Sequence, residues 1–304
     1  MSPNAVDTPF FVKIRLTVYY FLALLCVAIW GTTFVSTKIL ILNGLNPEEI
    51  ILVRYGLAYL CLLPFTRRWK ADGWKDELLI VLLSVMGGTI YFMTENSAVK
   101  YTLTTNVSLI TSTTPLFTAL SLPLFFRHVH YTHRLFLGSL LACVGGARIV
   151  GNGHYVLKLN PLGDLLALGS ALSWTAYSLL FQTLGKRYST LFLTRKLFFY
   201  GVVTTLPIAL LRGDAVHLAD ISWLSAPVAG NLLFLGLVAS LGCFHVWGVS
   251  VKKIGTITAN NFIYFSPLFT LITASLVLHE PISWLSLLGM AFTILGVYLA
   301  RVKE

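Results

Sequence analysis

Charge is what this sequence has least of. Asp, Glu, Lys and Arg make up 11% of its 304 residues, against roughly 25% in an ordinary soluble domain, so there is too little polar surface to cover a water-soluble globule. Only four cysteines occur, Cys26, Cys61, Cys143 and Cys243. Each falls inside an apolar run and none has CxxC spacing, which excludes a disulfide framework or a zinc site and leaves them as small apolar filler. There is no GxxxxGK[ST] loop and no dinucleotide fingerprint. The chain alone therefore drives no ATP-powered pump and no nucleotide-dependent reaction, and any energy must come from a gradient or a partner. The formal charge of +10 does not point to nucleic acid, because the basic residues sit in short connectors and not on one amphipathic face or tail. His128, His130 and His133 form the one histidine cluster, but Arg127 and Arg134 flank it and oppose a divalent cation. No metal and no cofactor are expected.

What the sequence has instead is apolar length. Hydrophobic residues make up 56% of the chain and the mean hydropathy is +0.79. They gather into runs of about 16 to 24 residues, the length that crosses a hydrocarbon core of ~30 Å. Lys13 and Arg15 precede the first run in the manner of a signal peptide, yet the run is too long and lacks a small-x-small cleavage site, so it reads as a first membrane helix. Gly, Pro and charge punctuation divide the chain into ten predicted segments. The first five are Leu16 to Thr37, Ile50 to Phe65, Leu78 to Ala98, Leu103 to Phe126 and Leu135 to Val150. The second five are Leu162 to Leu184, Leu191 to Leu211, Val228 to Ser250, Ile257 to Leu278 and Ile282 to Ala300. The expected class is an all-α polytopic membrane protein.

Alternate connectors differ sharply in charge. Sixteen Lys and Arg fall in the set that includes both termini, and four, Lys100, Arg148, Lys158 and Arg212, in the other. Cytoplasmic loops retain positive charge, so both termini are expected in the cytoplasm, with the chain in a bacterial inner membrane.

The two halves also resemble each other. Val99-Lys100 matches Val251-Lys252, and Pro115-Leu116-Phe117-Thr118 matches Pro267-Leu268-Phe269-Thr270, both at an offset of 152 residues. Trp30 aligns with Trp174, and Pro64 with Pro207. Five segments per copy is an odd number, so the copies, residues 1–151 and 152–304, would enter the membrane from opposite sides as a 5+5 inverted repeat. Such repeats place a binding site near the midplane and permit alternating access by rocking one half against the other.

Trp30-Gly31 in the first segment, Pro47 and Arg54 around the second, the segments of Pro115 and Pro267, and His279-Glu280 before Gly289 and Gly296 resemble the drug/metabolite transporter superfamily, EamA-type. The likeness covers nearly the whole chain. It implies a ten-helix fold, a central cavity lined mainly by the first, third, fourth, sixth, eighth and ninth segments, and export of amino acids or related metabolites. One departure is visible: where the second half has Glu280, the first has His128.

Candidate residues follow from polar groups inside apolar runs, each costly unless paired or facing water. Lys38, Arg54 and Glu95 lie toward the outer ends of the first three segments, Arg54 about 6 Å in and Glu95 about 26 Å from the inner end of the third. They are expected to meet as a salt-bridged outer gate. On the inner side the candidate is His245. The midplane site is expected between the fourth and ninth segments. The fourth carries Ser108, Thr111, Ser112 and Pro115 on one helical face, and the ninth carries Asn260, Tyr264 and Pro267. Each proline should free the carbonyl four residues earlier, Thr111 or Ile263. Trp30 and Trp174 lie roughly 20 Å into their segments, too deep for interfacial anchors, and suit pocket walls that Tyr91 and Tyr177 extend.

No Lys or Arg is placed in this expected cavity, so it should take a neutral or zwitterionic small molecule. A nucleotide-sugar or phosphorylated-metabolite exchanger is the alternative within transport, and an integral membrane enzyme acting on lipid the alternative outside it. No catalytic constellation sits at one interface to support the latter. A membrane scaffold would not need inverted symmetry.

Overall fold

A computed structural model describes residues 9–66, 68–126, 160–212 and 221–280, with isolated positions beyond them, and side chains from Leu16 onward. The predicted segments from Leu135 and from Ile282 lie outside these apart from those isolated positions, as does the His128, His130 and His133 cluster.

Among the described residues the chain is helical, without strands. Eight helices account for it: α1 (Pro9–Leu42), α2 (Pro47–Leu62), α3 (Trp74–Tyr101), α4 (Thr104–Phe125), α5 (Pro161–Leu184), α6 (Thr190–Arg212), α7 (Ala226–Ile254) and α8 (Thr256–Leu278). Seven of them, all but α2, are long and apolar enough to cross a membrane. Helix α2, of 16 residues, is extended by a 3₁₀ turn over Leu63–Phe65.

The helix ends follow local chemistry. Helix α2 starts at Pro47, whose missing N–H costs nothing in a first turn, and the Glu49 carboxylate accepts the Asn46 N–H at 2.7 Å to close a capping box. The run therefore begins three residues before its first apolar residue. Asn160 caps α5 by accepting the Gly163 N–H at 3.2 Å. Gly255, at φ 84°, makes the sharp corner between α7 and α8, a conformation that a Cβ would disfavour.

Four helices are irregular in the middle. Helices α3 and α7 each contain a π-helical stretch, Val85–Ile90 and Phe234–Gly242. Helix α4 breaks at Ser112–Thr113, ahead of Pro115, and α8 passes through a 3₁₀ turn at Phe262–Phe265, ahead of Pro267. These irregularities recur near the offset of 152 residues between the halves.

Packing crosses between the halves. Helix α1 lies against α7 and α8, α2 against α6 and the π stretch of α7, and α3 against α5 and α6. At the α1–α8 crossing a Cβ on Gly31 would lie 2.7 Å from Phe269 Cβ and 2.8 Å from the Ser266 carbonyl, so only glycine permits this approach. Large apolar side chains such as Phe21, Phe65, Leu124 and Leu211 point outward, as expected where the surroundings are lipid.

Candidate functional site

The broken helices and the tryptophans converge on one cavity, and each π stretch ends just before a lining residue, Tyr91 or Phe244. It contains about 520 Å³ of empty space including its open part, while its enclosed interior has room for only a few waters. Helices α1, α3, α4, α5, α7 and α8 all contribute to the wall, and α2 adds Arg54.

The aromatic part of the wall is continuous. The Trp30 ring meets Trp174 at 5.3 Å, Phe244 at 5.6 Å and Trp247 at 5.1 Å between centroids. Its indole N–H donates to the Ala239 carbonyl at 3.0 Å, inside the π stretch of α7. This bond to the π stretch fixes the Trp30 ring. Tyr91 stacks edgewise on Phe92 at 4.7 Å and tilts against Trp174 at 4.9 Å. Lining residues 152 apart occupy matching places: Phe92 and Phe244, Thr111 and Ile263, Thr114 and Ser266.

Charge enters from the first half only. Arg54 is 1% exposed. Its Nε donates to Ser240 Oγ at 2.9 Å, its guanidinium lies 4.1 Å from the centre of the Phe92 ring, and its Nη1 is buried without a partner. Glu95, 5% exposed, accepts from the Tyr91 hydroxyl at Oε1, 2.7 Å away. Both line the cavity, yet they are not ion-paired: among the described residues the ion pairs are Arg68–Asp72, Arg187–Asp76 and Lys196–Glu77. The indole N–H of Trp174 is likewise buried without a partner. The residues lining the chamber thus carry two unused donors and a carboxylate. A buried donor left unsatisfied costs about 1–3 kcal/mol, more when charged, which a ligand oxygen or an ordered water would offset.

This geometry corrects two expectations. The cavity does contain a fixed positive charge: α2 begins at Pro47, three residues earlier than its apolar run suggests, which lowers Arg54 to about 10 Å below the helix start. Nor do Lys38, Arg54 and Glu95 form a salt-bridged trio, since the Lys38 ammonium donates to the Val99 carbonyl at 2.7 Å.

Of the other residues singled out in the sequence, Trp30, Tyr91, Thr111 and Trp174 line the cavity. Thr111 donates back to the Val107 carbonyl at 2.9 Å, and its own freed carbonyl is taken by the Thr114 hydroxyl at 2.7 Å. Ile263's carbonyl is taken by the Ser266 N–H. Ser108 accepts from Thr270 at 2.8 Å and ties α4 to α8, while Ser112 bonds within its own helix. Asn260 lies beyond the wall, its amide N–H groups reaching Ser178 at 3.2 Å and Thr118 at 3.4 Å. Tyr264 and Tyr177 are buried outside the lining, Tyr177 behind Trp174 at 4.8 Å. His245 is half-buried on the half of α7 that ends at Lys252 and Lys253, outside the cavity lining, with Nδ1 unpartnered. No group of three His, Cys, Asp or Glu with metal-binding spacing occurs among the described residues.

Hydrogen-bonded networks tie the helices together at both ends of the bundle. At the Lys- and Arg-rich end, Arg187 donates to Asp76 at 2.7 Å, Tyr188 to the same carboxylate at 2.6 Å, and Lys252 to the Tyr188 carbonyl at 2.6 Å. Lys196 donates to Glu77 at 2.6 Å between α6 and α3, with Tyr200 on the same oxygen. At the other end Glu280 accepts four bonds at the start of α4, from the N–H and hydroxyl of Thr104 at 3.0 and 2.7 Å and of Thr105 at 3.3 and 2.6 Å. A carboxylate there is favoured by the positive end of the helix dipole.

Comparison with known proteins places the chain. The model of the EamA-like transporter family matches it twice, over residues 17–150 and 161–302. An uncharacterized transporter of Archaeoglobus fulgidus is 27% identical across 94% of this chain and 98% of its own length. The uncharacterized transporter YdfC of Bacillus subtilis is 25% identical across 92% of this chain and 89% of its own. A solved crystal structure has the same fold, with a TM-score of 0.68 at 16% identity over 94% of this chain and 96% of that one. The chain belongs to the EamA-like transporter family and is an integral membrane protein of the drug/metabolite transporter superfamily.

Proposed function

We propose that this transporter carries a small zwitterion, an amino acid or a close relative, outward across a bacterial inner membrane by alternating access between its two inverted halves. The observation that carries this reading is one buried arginine and one buried glutamate, not paired with each other, in the same aromatic chamber.

A substrate carboxylate placed between Arg54 Nη1 and Trp174 Nε1 satisfies both orphan donors. Its ammonium then meets the Glu95 carboxylate and the faces of the surrounding rings, where a cation gains about 0.5–2 kcal/mol from each well-placed ring. Opposite fixed charges sum to zero, so a solute of zero net charge leaves no uncompensated charge behind in a medium of low dielectric. The repeat register of Phe92 and Phe244, and of Thr114 and Ser266, supports two equivalent half-sites about the centre. The bonded networks at the two ends support alternating access, in which either network opens in turn.

Arg54 also favours a second reading, a phosphorylated metabolite. One arginine neutralises only half of a phosphate dianion, and Glu95 in the same wall repels the rest. The zwitterion is the better match.

Binding measured with a matched set of ligands tests the assignment: an amino acid, the amine lacking its carboxylate, and the acid lacking its ammonium. Tryptophan fluorescence of detergent-solubilised protein should report the amino acid binding at least tenfold more tightly than either fragment. Equal binding of all three, or tighter binding of a phosphate ester, would overturn it.

A further inference from the structure

We propose that Glu95 carries the proton that couples transport, so that one proton moves inward for each zwitterion moved outward; this rests on the transport reading above. Among the described residues Glu95 is the one carboxylate lining the cavity. It is held by the neutral Tyr91 hydroxyl and not by a cation, in a wall that, apart from Arg54, is made of aromatic, hydroxyl and aliphatic side chains.

The groups around it allow both protonation states. On its own helix it meets Tyr91. From α2 come Arg54 and, behind it, Tyr55. The lining parts of α1, α4, α5 and α8 offer Thr, Ser, Trp and apolar side chains, and α7 offers Phe244, with Cys243 next to it. Arg54 favours the charged carboxylate at a distance. Its direct contacts, however, go to Ser240 and the Phe92 ring, which leaves the carboxylate without the counter-ion that would lock it ionised. A charge so placed is stable when an ammonium or a proton sits against it, and those two compete for the same oxygens.

The cycle then balances. With the cavity open to the inside, the Glu95 carboxyl O–H bond breaks, its proton passes to water, and the substrate ammonium takes its place. With the cavity open to the outside, the substrate leaves and the carboxylate regains a proton from that side. No electron changes hands. One positive charge moves inward per cycle, so both the pH gradient and the membrane potential drive export.

The test uses the whole protein in liposomes with the potential clamped at zero. Labelled amino acids are screened by counterflow, and the one transported best is then followed under a gradient of one pH unit. A one-to-one coupling supports a tenfold steady-state concentration ratio, since one pH unit is worth a factor of ten. This ratio is set by thermodynamics and not by rate, so it separates coupling from binding. Glu95→Gln should slow counterflow and lower the ratio from tenfold to unity, while Glu95→Asp should keep the tenfold ratio at reduced speed. A Gln variant that still reaches tenfold, or wild-type protein that stays at unity while counterflow is active, overturns the proton assignment and leaves the transport reading standing. Absence of counterflow for every amino acid overturns both. If the Gln variant shows no flux, infrared difference spectra decide: the signal of a buried protonated carboxyl should be lost on adding the amino acid and be absent in Glu95→Gln. Its persistence in that variant overturns the proposal.

Discussion

Replacing Arg54 with Gln separates a binding residue from a structural one, because the two roles predict opposite pairs of outcomes. In stability terms the substitution removes the bond to Ser240, about 0.5–1.5 kcal/mol, and the contact with the Phe92 ring, up to about 2 kcal/mol. It also removes a nearly fully buried guanidinium with an orphan Nη1, whose burial costs several kcal/mol. These terms nearly cancel, so the melting temperature of the purified protein should be unchanged or higher. In binding terms the loss is one-sided. A substrate carboxylate left buried without its cation costs roughly 2–5 kcal/mol, or on the order of 30- to several thousand-fold in affinity. Titration of the Trp30, Trp174 and Trp247 fluorescence alongside a thermal melt measures both on one sample. A variant that melts many degrees lower yet binds as tightly as wild type would show that Arg54 braces α2 against α7 and refute the reasoning.

Trp174→Phe keeps the ring contacts and deletes the orphan N–H; affinity should fall about 3- to 10-fold, one neutral hydrogen bond's worth, with melting unchanged. Gly31→Val forces a side chain into the α1–α8 crossing and should cost about 1–3 kcal/mol, read as a lower melting temperature; an unchanged melt would mean that the two helices do not approach so closely. Glu280→Ala strips the start of α4 of an acceptor for four donors and should raise labelling of thiols introduced at the outer end of the cavity. A reporter enzyme fused after Glu304 should be active only in the cytoplasm, as the charge count requires.

The helices were legible because their apolar length carries the signal: the seven membrane-length spans fall where the hydrophobic runs lie. The start of α2 is marked by Asn46, Pro47 and Glu49, a proline-led capping box, and not by its apolar run, which on its own places Arg54 in the mouth and not in the cavity. At the site, Trp30 and Trp174 were found from their depth, whereas Phe92 with Phe244 and Thr114 with Ser266 were missed. Their signal was available, since each pair is separated by the same 152 residues that define the repeat. A regular helical face would bring Ser108, Ser112, Asn260 and Tyr264 to the wall. The break at Ser112–Thr113 and the 3₁₀ turn at Phe262–Phe265 change the angular register there, so spacing of three and four no longer marks one face. The π stretches are similarly invisible to periodicity, yet one of them supplies the carbonyl that orients Trp30.

The central claim is that this chain moves a zwitterion through the chamber shared by Arg54 and Glu95. Counterflow in liposomes containing only the purified protein tests it most directly, with labelled amino acids and labelled phosphate esters compared on the same preparation. The account predicts saturable exchange of at least one amino acid, abolished in Arg54→Gln, and no exchange of the phosphate esters; exchange of phosphate esters alone, or amino acid exchange undiminished in Arg54→Gln, would contradict it.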